Sequence, residues 1–314
     1  MHVNGKGKPM ANEKEIPVDP LAPVNAPKIA LPPGALTPQQ IFDKIQTSKE
    51  ELIPWEEVTL PSLGLYYGGA LPDGKVYVRA MSMQDDKVFA TQRLAQSGQT
   101  IDYILRHCVK LPDGFDTANM IIGDRHFLLF YLRGITYGNE YEFAVKCPDA
   151  DCGASSVHKY DLNNLAQKIR RAKRELGPEP FRVLMPFMSE QFKQEVWVSV
   201  RFFRGGDITA AMNKQRNVRR VGGRVGVNEL VAENIAMAIV DFMGEKKDAA
   251  SIRNMVDNLH GIDSATLRQF FNDYAPGIDT IIDLECPTCG NQFRVDLPIT
   301  ENFFRSSGAR RAGE

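Results

Sequence analysis

Little in this chain announces a reaction. In 314 residues it holds five cysteines and two tryptophans, too few thiols for a disulfide-stapled miniprotein. Net charge is nearly absent, with 38 basic side chains against 39 acidic ones and a balance of −1. Long apolar runs are missing as well: the best candidates, around 127–132 and 235–242, fall short of the roughly 20 residues of a bilayer span or are flanked by charge. The sequence also lacks H-E-x-x-H, G-x-x-x-x-G-K-[ST], G-x-S-x-G and a dinucleotide fingerprint after a strand, so no catalytic residue is nominated and a non-enzymatic protein is expected. What is present is ordinary globular material, 43% hydrophobic and 25% charged. The length fits about two domains, each able to bury its own core. The N-terminus carries Lys6 and Lys8 followed by polar, proline-rich sequence where a secretory signal would have an apolar stretch, so synthesis and assembly in a cytoplasm are expected.

Residues 1–36 contain seven prolines and no aromatic residue, a composition that resists helix and has little to bury. They read as an extended arm. Thr37-Pro38-Gln39-Gln40 then supplies a capping hydroxyl, proline at the first helical position and glutamine at the third, a capping box that opens a helix ending before Pro54. From Trp55 onward the same pattern occurs twice. Val76, Val78, Arg79 and Asp85 return as Val198, Val200, Arg201 and Asp207 at an offset of 122. Asp124, Gly138, Cys147 and Pro148 return as Asp263, Gly277, Cys286 and Pro287 at an offset of 139. Between the latter, Leu128, Tyr131, Leu132 and Ile135 match Leu267, Phe270, Phe271 and Tyr274, each set forming one apolar helix face. Asp124 and Asp263 are expected as N-caps, and Gly138 and Gly277 as C-terminal stops.

The expected fold class is therefore α+β: two tandem repeats, each a β-hairpin, a small helical cluster and a cysteine-bearing, zinc-ribbon-like hairpin. The boundaries fall at 1–36 for the arm, 37–54 for the capped helix and linker, 55–166 for the first repeat, 167–180 for a basic inter-repeat helix and linker, 181–300 for the second repeat and 301–314 for a C-terminal tail. The growth of the offset from 122 to 139 places an insertion in the second repeat. Lys214, Arg216, Arg219, Arg220 and Arg224, set among Gly222, Gly223 and Gly226, mark it as a flexible basic loop and a candidate partner-binding surface. Residues 161–224 hold 14 basic against 6 acidic side chains, a balance of +8 that leaves −9 for the remainder. Such a band is a solvated surface, a dock for an acidic protein or a nucleic-acid contact; no basic-aromatic interleaving favours the last.

Cys147-Pro148-Asp149-Ala150-Asp151-Cys152-Gly153 and Cys286-Pro287-Thr288-Cys289-Gly290 have the form of zinc knuckles, tight turns that aim two thiolates at one ion. Together Cys147, Cys152, Cys286 and Cys289 would close a tetrahedral, structural Zn²⁺ site with no open position for substrate. Two disulfides, four metal-free thiols, or two half-sites completed from elsewhere are the alternatives. His158 reads as a surface histidine and Cys108 as a small core hydrophobe on the Ile101, Ile104, Leu105 helix face.

Val58-Thr59-Leu60-Pro61-Ser62-Leu63-Gly64-Leu65-Tyr66-Tyr67, then Val76-Tyr77-Val78-Arg79-Ala80-Met81-Ser82, then Leu132-Arg133-Gly134-Ile135-Thr136-Tyr137-Gly138 and the cysteine turn after it, resemble the baseplate hub family of T-even-like contractile-tailed phages. The likeness covers roughly residues 56–165 closely and the second repeat in outline. It implies a structural, non-enzymatic part of a tail baseplate, in the hub or at its junction with wedges or tube, located in the virion and contacting other baseplate, hub, wedge or tail-tube proteins. A hub assembly chaperone absent from the mature particle is one alternative, and a zinc-ribbon nucleic-acid binder another.

Overall fold

The computed structural model describes residues 35–47, 53–89, 99–211, 227–299 and 303–304. Most of the expected arm 1–36, the expected basic loop with its five candidate partner-binding residues and most of the expected C-terminal tail lie outside these. Among the described residues, no helix is long and apolar enough to cross a membrane.

One unit is the N-terminal segment, which carries helix α1 (Pro38–Thr47). Its capping box is formed: the Thr37 amide donates to Gln40 Oε1 at 2.9 Å, and the Gln40 amide donates to Thr37 Oγ1 at 3.3 Å. Ile41, Phe42 and Ile45 of this helix are exposed.

The second unit begins at Ile53. Alternating residues make its first sheet one-sided: β1 (Trp55–Thr59) and β2 (Lys75–Arg79) pair antiparallel with Val58 opposite Val76, both buried. Helices α2 (Met83–Phe89) and α3 (Gln99–Cys108) follow, and α3 runs directly into β3 (Val109–Lys110), which pairs with β2 to complete the order β1-β2-β3. Helix α4 (Ile122–Tyr137) buries Leu128 and Leu132, then β4 (Glu140–Lys146) and β5 (Ser155–Asp161) form a separate hairpin. The chain crosses over through β6 (Ile169–Arg170).

The second half also has a three-stranded sheet, helices and a final hairpin, with an added helix between its first two strands and a further helix and short strand before its last hairpin. Strand β7 (Phe181–Leu184) leads into α5 (Pro186–Phe192) and β8 (Trp197–Val200), with Val183 opposite Val198. A helical segment over 205–211 follows. Helix α6 (Val227–Ala238) runs into β9 (Ile239–Phe242), giving the order β7-β8-β9. Helices α7 (Ala249–Asp257) and α8 (Gly261–Tyr274) precede β10 (Gly277–Ile278), and β11 (Ile281–Glu285) and β12 (Gln292–Asp296) form the last hairpin. The fold is thus mixed helix and small antiparallel sheets.

Four expectations are corrected. The first sheet of each half has a third strand besides its hairpin, because α3 and α6 pass straight into short strands, β3 and β9, that pair with it. Asp124 and Asp263 are not N-caps; the caps are Ile121 and His260. Each aspartate sits in the first helical turn, fully buried, and accepts bonds from a neighbouring loop: Asp124 from the Ser62 amide (2.9 Å) and Tyr67 hydroxyl (2.6 Å), Asp263 from the amides of Phe187 (2.8 Å) and Met188 (3.2 Å). Gly138 does close α4 with φ of 84°, but α8 ends earlier, at Tyr274, because Pro276 cannot continue it, and Gly277 becomes a strand residue. The basic inter-repeat helix is absent. Residues 162–176 are 3₁₀ turns around β6, which is held in extended form by pairing with β10 and by the Ala172 amide donating to the Pro61 carbonyl at 2.8 Å.

Candidate metal centre

Each hairpin carries its two cysteines at the turn, and the local backbone explains why. In the first, the Cys147 amide donates to the Ala154 carbonyl (2.8 Å), while the amides of Cys152 and Gly153 fold back to the Asp149 carbonyl at 3.3 and 3.0 Å. In the second, the Cys286 amide donates to Asn291 (2.9 Å) and Gly290 donates to Cys286 (2.8 Å). Gly153 and Gly290, each after the second cysteine of its turn, adopt φ of 54° and 72°, a left-handed backbone that glycine takes without a Cβ penalty. The two extra residues of the first turn are absorbed in the loop held by Asp149, whose carboxylate also accepts the Asp151 amide at 2.9 Å.

The two turns meet. Cys147 Sγ lies 3.8 Å from Cys289 Sγ and Cys152 Sγ lies 3.9 Å from Cys286 Sγ, and all four sulfurs fall within 4.8 Å of one another. A tetrahedron of Zn–S bonds about 2.3 Å long has edges of about 3.8 Å. The cluster is therefore compatible with an ion at its centre. A disulfide needs sulfurs at about 2.05 Å, and all four cysteines are free thiols. Each close pair joins one knuckle to the other.

Amides of Cys289 and Thr288 point at Cys286 and draw its thiol down to about 6. The Asn291 amide favours the Cys289 thiolate, but desolvation and the three neighbouring sulfurs outweigh it and push that thiol up to about 12; desolvation likewise raises Cys147.

Of the other nominated residues, His158 bonds Ser156 Oγ at 2.8 Å and lies beside Phe143, apart from the cysteine cluster. Cys108 is fully buried, its thiol pushed up to about 12 chiefly by burial, as a core hydrophobe should be. The motif residues around 60–67 and 132–138 prove to be architectural. Gly64 (φ 73°) passes so near the Leu71 carbonyl that a Cβ would sit 1.9 Å from its oxygen. Tyr67 links Asp124 to the Ile121 amide (3.0 Å), and buried Arg133 donates to the carbonyls of Gly138 (2.6 Å) and Glu140 (2.9 Å) beyond the end of α4.

Two features escaped the sequence reading. The first is a seam between the halves: the Ile122 amide donates to the Phe203 carbonyl (3.0 Å), the Gly205 amide donates to the Met120 carbonyl (2.9 Å), and Arg204 reaches the Asn119 carbonyl (2.7 Å) and pairs with Glu179. The second is Phe303 and Phe304, placed in the expected tail but buried, with Phe303 edge-on to Phe130 and Tyr141. Two adjacent phenylalanines in an otherwise polar terminus were the available signal.

A family model described as T4 bacteriophage base plate protein matches residues 67–305, a span that includes most of the first half, the second half and all four knuckle cysteines. Neither the curated proteins nor the solved structures gave a match.

Proposed function

The chain belongs to the T4 bacteriophage base plate protein family, and from that premise we propose that it is a non-enzymatic structural adaptor in the hub of a contractile tail baseplate, or at the hub's junction with the wedges or tube. The observation that carries this reading is the family match across both halves. Other baseplate proteins are the partners it implies, with the virion as the final location and the host cytoplasm as the place of assembly. The basic loop bearing Lys214, Arg216, Arg219, Arg220 and Arg224 is assigned to docking an acidic neighbour.

Cys147, Cys152, Cys286 and Cys289 are assigned to one structural Zn²⁺. Bound there, the ion supplies no chemistry to a substrate; it ties hairpin β4–β5 to hairpin β11–β12, which share no strand pairing with each other. The matched pairs of contacts in the two halves support their reading as two copies of one ancestral unit. Arg79 bonds Asp85 (3.0 Å) as Arg201 bonds Asp207 (2.7 Å), and the amides of Ser82 and Arg204 each cap their aspartate at 2.8 Å.

Mass spectrometry of purified virions is the direct test. Detection in the baseplate fraction is expected; absence there with presence in assembly intermediates would transfer the assignment to a hub assembly factor. Metal analysis of native protein should give one zinc per chain.

A further inference from the structure

The seam between the halves is a head-to-tail contact, and its two faces each have an unused counterpart. The front of the first half, Met120–Ile122, receives the back of the second half, Phe203–Gly205, through the two backbone hydrogen bonds described above. At the offset of 139 the front of the second half is Leu259–Gly261. At the offset of 122 the back of the first half is Met81–Met83. Among the described residues, the Gly261 amide and Leu259 carbonyl make no hydrogen bond, and neither do the Met81 carbonyl and Met83 amide. Both faces are capped by exposed apolar side chains, Ile262 at 54% and Met83 at 73% exposure.

The side chains at these positions are exchanged in a complementary way. In the internal seam Arg125 occupies the space over Gly205, where a Cβ would stand 2.4 Å from its guanidinium. In the free faces the counterpart of Gly205 is Met83 and the counterpart of Arg125 is Ser264, so the bulk moves from front to back. In the internal seam Gly123 is pressed against Pro276, whose carbonyl oxygen would lie 1.8 Å from a Cβ. Its counterpart on the free front is Ile262. The obstacle itself has no counterpart, because α4 stays helical through Tyr137 where α8 has already turned aside, and a Cβ on Gly138 would meet nothing within 4 Å. Each enlarged residue therefore faces a position that has been vacated.

We propose that a second copy of this chain docks head to tail here, setting Met81–Met83 of one copy against Leu259–Ile262 of the next. The Met81 carbonyl would accept from the Gly261 amide and the Met83 amide would donate to the Leu259 carbonyl, with Met83 seated over Ser264 and Ile262 over Gly138. Such a contact is heterologous and repeats, so copies join into a ring or filament and not a two-fold dimer. The inference rests on the equivalence of the two halves and not on the choice between virion component and assembly factor, which virion mass spectrometry decides separately.

The test is the mass distribution of the purified full-length chain by sedimentation over a concentration series, with Met83→Asp and Ile262→Asp variants. Both residues are exposed and lie in first helical turns, where an added carboxylate is favourable, so unchanged thermal melts are expected to certify folding. Wild type should show concentration-dependent oligomers, and either variant alone should lose about ten-fold or more in association. Mixing the two variants should restore dimers and nothing larger, since one keeps its front and the other its back. A monomeric wild type throughout, oligomers untouched by both substitutions, or no dimer on mixing would each overturn the proposal.

Discussion

The two halves of the larger unit carry the same frame and different surfaces. Both hang a three-stranded sheet beside a helix whose first turn holds a buried aspartate, and both end in a cysteine hairpin. Yet the front of α4 is sealed beneath Phe203–Gly205, while the front of α8 lies open with Ile262 exposed and Phe187 stacked on His260. What stays constant is what closes the fold; what changes is the surface around the first turns of α4 and α8.

The proposed zinc site joins the two halves, and it offers the largest test. Each close sulfur pair joins opposite knuckles, so Cys147→Ser in the first half and Cys286→Ser in the second should be equally damaging. Either change is expected to abolish stoichiometric zinc and to lower stability by more than ~4 kcal/mol, read by metal analysis and denaturant unfolding. A variant that kept full zinc after losing one knuckle cysteine would break the equivalence.

The buried aspartates should separate the halves. Asp124→Ala strands the Ser62 amide and the Tyr67 hydroxyl in the core, at about 3 kcal/mol. Asp263→Ala frees the amides of Phe187 and Met188, which belong to the opening of α5 and lie nearer solvent, at about 1–2 kcal/mol. Unfolding midpoints of the two variants measure the difference directly; equal losses would mean that the two loops are equally closed to water.

Much of this frame was legible in the residues. The fixed offsets paired Arg79 with Arg201, Asp124 with Asp263 and each cysteine turn with its partner, because the residues that recur are those whose geometry the fold cannot vary. The spacing could not reveal their bonding partners. An aspartate at the mouth of an apolar helix face has the same local pattern whether it caps its own helix or holds a loop about 60 residues away in the first half and 75 in the second. The β6–β10 pairing was hidden for a similar reason: two-residue strands have no periodicity, and the lysines and arginines around β6 suited a helix until tertiary pairing claimed the backbone. Phe303 and Phe304 were discounted as tail residues, although burial of two adjacent rings is what anchors a polar terminus.

Glycine positions sharpen the comparison at a smaller scale. Gly123→Ala must move the Pro276 segment, and is expected to cost about 2–3 kcal/mol as overpacking at the seam. The counterpart change, Ile262→Ala, trims a solvent-exposed side chain and should fall within about 0.5 kcal/mol of wild type for the monomer. Thermal melts at low protein concentration isolate these effects from any association.

The smallest expected effect concerns pH. Burial alone would raise the Asp85 carboxyl, but Arg79 (3.0 Å), the Ser82 amide (2.8 Å) and the Ser82 hydroxyl (2.7 Å) outweigh it and hold Asp85 below the ordinary carboxylate value. A depressed folded-state value means that the carboxylate's contribution is fully present above the unfolded pKa of about 3.9 and disappears as pH falls through the folded one. Asp85→Asn should therefore lower stability at neutral pH and flatten the acid limb of a stability-versus-pH curve below about pH 4, because the mutant has no proton left to take up there. The matching pair in the second half is more open to water, with Asp207 and Arg201 side chains 16% and 27% exposed against 4% and 18% for Asp85 and Arg79. Solvent screening weakens such a pair, so Asp207→Asn should cost less stability at neutral pH than Asp85→Asn. An equal loss in both would show that the surrounding helices, and not exposure at the ion pair, set what each pair contributes.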